Sequence, residues 1–160
     1  MFLSGCLMKS RNNTQDQVVD FVRWALQELD QRDIVVEWGH GGPVVKYVDP
    51  VSSMDITLFQ FHTSGRLAEL SRYAARCEKL QLMDDIWRQY FEEVVTLIPT
   101  ASIREFTTPT GKYHDVTVGP RQLKDGLRVE HILDKGKEWF DIIDRAVARF
   151  REAIESRTDN

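Results

Sequence analysis

The chain has 160 residues, of which 42% are hydrophobic and 29% are charged, and its formal net charge is -4. This composition is that of one globular domain and excludes an intrinsically disordered chain. A net negative charge makes nucleic acid an unfavourable partner, because phosphate binding requires a basic surface. No apolar run reaches the roughly 20 residues of a membrane helix, so we expect no membrane association.

The two cysteines, Cys6 and Cys77, lie far apart, and neither has a second cysteine or a histidine at metal-ligand spacing. A disulfide framework and a zinc site are therefore not expected. Cys77 falls on the apolar side of a helical pattern, where we expect a small core residue. We predict a reducing, cytoplasmic compartment.

The amino-terminal part of the chain divides into two stretches. Residues 1–13 are predicted to be a mobile segment that precedes a single domain over residues 14–156. Thr14 and Gln17 have the spacing of a capping box, and the apolar residues that follow recur at helical spacing. We therefore predict an amphipathic helix over residues 14–31 that packs one stripe on the core.

Three strands are predicted next. The runs over residues 34–38, 44–48 and 54–62 are rich in β-branched and aromatic residues, and a glycine-rich loop and a short turn separate them. Such short connections favour a three-stranded antiparallel meander. The third run has apolar residues on both faces, which is typical of a strand in the interior of a sheet. Its polar residues lie towards its two ends, so we expect those ends to reach solvent. The alternative interpretation is a pocket at one of the two ends.

The middle of the chain is predicted to be helical. Residues 66–73 fit either a further strand or the beginning of a helix, and the alanine-rich, charged run that follows favours a helix. A second helix is predicted to begin near Asp84, with a wide apolar face that includes Trp87, Tyr90 and Phe91. We expect these aromatic residues to lie in the core or, if the core does not cover them, to form the interface of a homodimer.

The last third of the chain contains a second predicted hairpin, over residues 102–118, with a proline- and glycine-containing turn. Residues 121–134 fit either the first turns of the last helix or a separate short element. The last helix has a clear apolar stripe that begins at Trp139. The predicted fold is α+β, with a mainly antiparallel sheet of about five strands packed against amphipathic helices.

This order of elements is a helix, three strands, helices, two strands and a helix. It is similar to that of the small acidic secretion chaperones of type III systems, which are dimers that hold an extended partner peptide. The resemblance rests on the order of elements, and it implies a homodimer with a protein or peptide partner.

Catalytic residues, a cofactor and a metal site are not identified from the residues. A nuclease-like metal site would need carboxylates and a lysine on adjacent strands. Glu37, Lys46 and Asp55 lie on three consecutive predicted strands. The alternative interpretation of the first two is an ordinary cross-strand pair on the surface.

Two functions from different classes are left open. The first is a non-catalytic binding or adaptor module that forms a homodimer. The second is a small-molecule- or metal-binding protein, or a small enzyme, with a pocket between the sheet and the helices. Four polar residues near the ends of predicted strands would line that pocket: Asp55, Gln60, His62 and His114.

Overall fold

The computed structural model describes the backbone of residues 2–119 and 125–158 and the side chains of residues 14–119 and 126–157. The helices of this part are α1 (Phe2–Asp30), α2 (Leu70–Lys79), α3 (Asp85–Leu97) and α4 (Gly136–Thr158), with a 3-10 helix over Val129–Ile132. The strands are β1 (Ile34–Gly39), β2 (Gly42–Val48), β3 (Asp55–Phe61), β4 (Leu67–Ala68), β5 (Ala101–Thr108), β6 (Gly111–Val118) and β7 (Asp125–Gly126). They form two antiparallel sheets, ordered β1-β2-β3-β4 and β5-β6-β7. The predicted α+β class is confirmed.

The first sheet contains the predicted meander. β1 pairs with β2 and β2 with β3, so that Val45 lies opposite Val36 on one side and Phe59 on the other. β3 is an interior strand, because it pairs with β2 on one side and β4 on the other, and its residues Leu58 and Phe59 are both fully buried. The register pairs Lys46 with residue 57 and then Val45 with residue 59, so it passes over Leu58 and β3 contains a bulge there.

The segment that fitted either a strand or a helix, residues 66–73, contains both. Leu67 and Ala68 form β4, which pairs with the end of β3. α2 then begins at Leu70, directly after Glu69. Glu69 has a left-handed backbone conformation, with φ of 72°, which turns the chain from the strand into the helix.

One hydrophobic core joins the two sheets and the helices. α4 covers one face of the first sheet, where the ring of Tyr47 lies 6.2 Å from that of Phe150 and the ring of Phe59 lies 5.3 Å from that of Trp139. α2 covers the opposite face of β3 and also contacts β6 in the second sheet. α2 therefore connects the two sheets.

Some predicted boundaries are corrected by the structure. α1 begins at Phe2, so the capping box at Thr14 lies inside the helix and does not mark its start. No proline interrupts the preceding residues, and the helix can continue through them. Asp84 does occupy the N-cap position of α3, but its side chain makes no capping hydrogen bond. Residues 126–134 do not join α4, which begins at Gly136, and residues 120–124 lie outside the described part.

Candidate functional site

The four residues predicted to line one pocket lie in three separate places. Asp55 and Gln60 lie five residues apart on β3, which separates them by about 17 Å along the strand. Gln60 and His62 both lie beside Gly41 in the turn between β1 and β2. His114 lies on β6, in the other sheet. The structure therefore does not bring the four side chains into one pocket.

Gln60 and His62 support the turn between β1 and β2. The buried amide of Gln60 donates hydrogen bonds to the carbonyls of His40, at 3.1 Å, and Gly42, at 3.2 Å. The His62 ring packs against Gly41, where a Cβ atom would come within 2.7 Å of the ring. These contacts give both polar side chains a structural role at this end of β3.

His114 lies between two carboxylates and an indole ring. Its Nε2 is 3.1 Å from Glu105 Oε2, its Nδ1 is 3.6 Å from Glu78 Oε1, and its ring centroid is 4.4 Å from that of Trp87. The second distance is too long for a hydrogen bond, so Nδ1 is buried without a hydrogen-bond partner among the described residues. Lys112, whose Nζ is 3.3 Å from Glu105, lowers the pKa of that carboxyl together with His114. This cluster connects the second sheet to α2 and α3.

Trp87, Tyr90 and Phe91 lie in the core. Their exposed fractions are 1%, 0% and 0%. The hydroxyl of Tyr90 donates a hydrogen bond of 2.9 Å to the carbonyl of Leu58. These side chains have almost no exposed surface, so they take the core position, which is the first of the two alternatives that the sequence left open.

Glu37 and Lys46 form the cross-strand surface pair, with Lys46 Nζ 2.8 Å from Glu37 Oε2. Asp55 contacts α2 instead. Arg76 Nε donates a hydrogen bond of 2.8 Å to the Asp55 carbonyl, and Arg76 Nη2 lies 3.3 Å from Asp55 Oδ1. Each carboxylate is therefore neutralised by a different cation. In the described part of the chain, no group of three or more His, Cys, Asp or Glu side chains could hold a metal ion.

A groove of about 320 Å³ lies beside Asp55, between α2 and the first sheet. Arg72, Arg76 and Lys79 share one stripe of α2, because residues at i, i+4 and i+7 lie on the same helix face. Ala75 lies within that stripe, and its small side chain leaves room between the cations. We call this surface the basic groove, and it is lined by Lys46, Asp55, Ile56, Thr57, Arg72, Ala75, Arg76 and Lys79.

Most cations of the basic groove also contact a carboxylate at the surface. The pairs are Lys46–Glu37, Arg72–Glu69 and Arg76–Asp55. Within the described residues, the exposed ammonium group of Lys79 makes no ion pair or hydrogen bond. Exposed ion pairs contribute only about 0–1 kcal/mol, so a competing anion displaces them readily.

Of the residues that line this groove, only Asp55 was predicted to line a ligand pocket, and Lys46 was considered only for a nuclease-like site or as the cross-strand partner of Glu37. Once residues 70–79 are assigned to a helix, the spacing of Arg72, Arg76 and Lys79 indicates that the three cations share one face of it. The proximity of Lys46 to these cations could not be predicted from the sequence, because it depends on how α2 packs on the sheet.

The chain matches no protein family, no curated protein and no solved structure. Within the described residues, no helix is both long enough and apolar enough to span a lipid bilayer. A function must therefore be argued from the side chains of the candidate surfaces themselves.

Proposed function

We propose that this protein is a non-catalytic binding module that holds an acidic segment of a partner protein in the basic groove. The observation that supports this proposal is the stripe of Arg72, Arg76 and Lys79 facing Lys46, on a chain whose net charge is -4. Three of these four cations already contact a carboxylate of the chain, so Lys79 is the cation that an acidic partner would neutralise first. Arginine is suited to this role, because its planar guanidinium group binds carboxylates through two parallel hydrogen bonds.

Charge and exposure favour a protein segment over other anions. A nucleic acid would bring phosphates over the rest of an acidic surface, which repels them. The groove is open, with Arg72 and Lys79 both exposed, whereas a small-molecule pocket usually buries most of its ligand. A partner segment that contributes a few carboxylates fits both the charge and the openness of the groove.

We also propose that the protein works in a reducing cytoplasm. The side chain of Cys77 is a free thiol and is fully buried. Burial raises the pKa of this thiol to about 12, so it is protonated and unreactive at neutral pH. A structural thiol of this kind suits a compartment in which cysteines stay reduced.

Charge reversal tests the proposed groove. The double variant Arg72→Glu/Lys79→Glu changes two exposed cations, and Arg23→Glu/Lys137→Glu makes the same change in net charge at exposed positions of α1 and α4. The probe is a short fluorescent glutamate-rich peptide, and binding is followed by fluorescence anisotropy. Each reversal removes about 0.5–1 kcal/mol of attraction and adds a similar repulsion, so the groove variant should bind about 30-fold more weakly or worse. The control variant should retain most of its affinity.

Two results would overturn the proposal: no binding of the peptide by the unsubstituted protein, or equal weakening in both variants. Competition separates the other anion classes. If inorganic phosphate displaces the peptide as effectively as unlabelled peptide does, the groove is a small-anion site. If single-stranded DNA binds more tightly than the peptide and only the groove variant loses it, the partner is a nucleic acid.

A further inference from the structure

The open edge of the first sheet is a second candidate surface. Among the described residues, β1 pairs only with β2, so the backbone N–H and C=O groups along its other side face no strand. The opposite edge of the same sheet is covered. The backbone N–H of Leu67 donates a hydrogen bond of 2.8 Å to the Leu127 carbonyl, and Arg66 forms a β-bridge with Arg128.

β1 lacks most features that protect edge strands from pairing. Its sequence, Ile34–Gly39, contains no lysine and no proline, and its register with β2 is regular. Val35 is 42% exposed and Trp38 is 76% exposed. By contrast β5, an edge strand of the second sheet, carries Arg104 and Glu105 in its middle.

We propose that β1 pairs antiparallel with β1 of a second copy of this chain, centred on Val36. In that register Trp38 of each copy lies opposite Ile34 of the other. The register with β2 places Ile34, Val36 and Trp38 on the face that also carries the buried Tyr47. The exposed indole of each copy is thereby covered by half-buried apolar residues of the other, and the contact is self-complementary as a two-fold dimer requires.

The other face of the paired strands is also compatible with this register. Glu37 of one copy lies opposite Val35 of the other, so no like charges face each other across the axis. Val35 pairs with Lys46 on β2. Glu37 therefore stays between apolar and cationic neighbours, and the one charged residue of β1 does not oppose pairing.

The dimer would contain a continuous sheet with both basic grooves on the same face. Three strand spacings separate the two β2 strands, a distance of about 14 Å. A long acidic partner would then contact both grooves at once. This consequence rests on the proposed function of the basic groove, whereas the pairing of β1 does not depend on it.

Sedimentation velocity and native mass spectrometry over a range of protein concentrations test the dimer. The variant Trp38→Glu should raise its dissociation constant at least about 100-fold, because the two-fold symmetry removes two buried indoles at once. Trp38 is largely exposed in the monomer, so the variant is expected to fold, and circular dichroism checks this. The matched control is Val51→Glu, which places the same charge at a side chain that is 91% exposed in the turn between β2 and β3.

Disulfide trapping tests the register. Position 36 meets itself across the two-fold axis, at a Cα separation of about 4.5–5.5 Å, which suits a disulfide bond. Val36→Cys should therefore form a covalent dimer under mild oxidation. Residue 35 lies opposite residue 37 of the other copy, so Val35→Cys should form no more covalent dimer than the unsubstituted protein does.

Three results would overturn the proposal. The first is a monomer at every concentration with rapid amide exchange along β1. The second is a dimer that Trp38→Glu leaves intact, which would assign the interface to another surface. The third is a monomer whose β1 amides become protected only when the glutamate-rich peptide is added, which would assign the edge to the partner. The oligomeric state is measured without any peptide, so failure of the dimer is distinct from failure of the basic groove.

Discussion

The variant Tyr90→Phe removes one buried hydroxyl and tests how the bulge in β3 is stabilised. The register of β2 and β3 passes over Leu58, so we expect its carbonyl to lack a partner in that ladder. The Tyr90 hydroxyl donates a hydrogen bond of 2.9 Å to this carbonyl, and both side chains are fully buried. Without the hydroxyl, a buried carbonyl is left unsatisfied.

Tyr73→Phe is the matched control. The Tyr73 hydroxyl donates a hydrogen bond of 2.7 Å to the carbonyl of Ala146, which lies in the middle of α4 and is also an acceptor of the helix. A hydrogen bond contributes about 1 kcal/mol net, whereas an orphaned buried acceptor costs about 1–3 kcal/mol. We therefore expect losses of about 1 kcal/mol for Tyr73→Phe and about 2–3 kcal/mol for Tyr90→Phe. Each kcal/mol should lower the Tm of a domain of this size by about 2–4 °C.

Urea unfolding followed by tryptophan fluorescence measures both losses, provided that the three proteins unfold with the same dependence on urea. Equal losses in the two variants would refute the reasoning, because they would show that the Leu58 carbonyl has another partner. A larger loss in Tyr73→Phe would refute it as well.

Two further predictions concern pH and two carboxylates with shifted pKa values, the buried Asp49 and the partly buried Asp115. Asp49→Ala should lower the Tm at neutral pH, since Asp49 accepts hydrogen bonds from Ser52 N at 2.9 Å, Ser52 Oγ at 2.7 Å and Tyr47 OH at 3.2 Å. The hydrogen bonds from Ser52, with a smaller effect from Tyr47, lower the pKa of Asp49. The stabilisation is therefore present above the unfolded-state pKa of Asp49 and is lost as pH falls through the folded-state pKa. A loss of Tm that is equally large at acidic pH would contradict this prediction. Asp115→Asn should raise the Tm at neutral pH, because burial raises the pKa of Asp115, while the amide oxygen retains the hydrogen bond of 2.8 Å from Val116 N. The free-energy cost of burying the charged carboxylate is absent below the unfolded-state pKa of Asp115 and grows as pH rises through its folded-state pKa. Thermal unfolding across this pH range should therefore show that the gain in Tm of the variant shrinks towards acidic pH. A gain in Tm that is constant with pH would exclude desolvation as its cause.

The sequence by itself determined the elements whose patterns are long and regular. All five predicted strands and the amphipathic helices are present, and the apolar residues on both faces of the run around Leu58 identified an interior strand. These are local properties, because the alternation along a strand and the period of a helix depend only on neighbouring residues. The strands β4 and β7 could not be predicted in this way, because two residues are too few to show an alternation of apolar and polar side chains.

Only the tertiary structure decided how these elements meet. It divided the strands between two sheets, and it placed Trp87 in the core beside His114, where the sequence left core and interface open. It also brought Lys46 opposite Arg76, which is thirty residues later in the chain. Periodicity shows that a helix has an apolar side and a charged side, but the surface that the charged side faces depends on long-range packing. That packing is set by contacts between distant residues, which no local pattern in the sequence records.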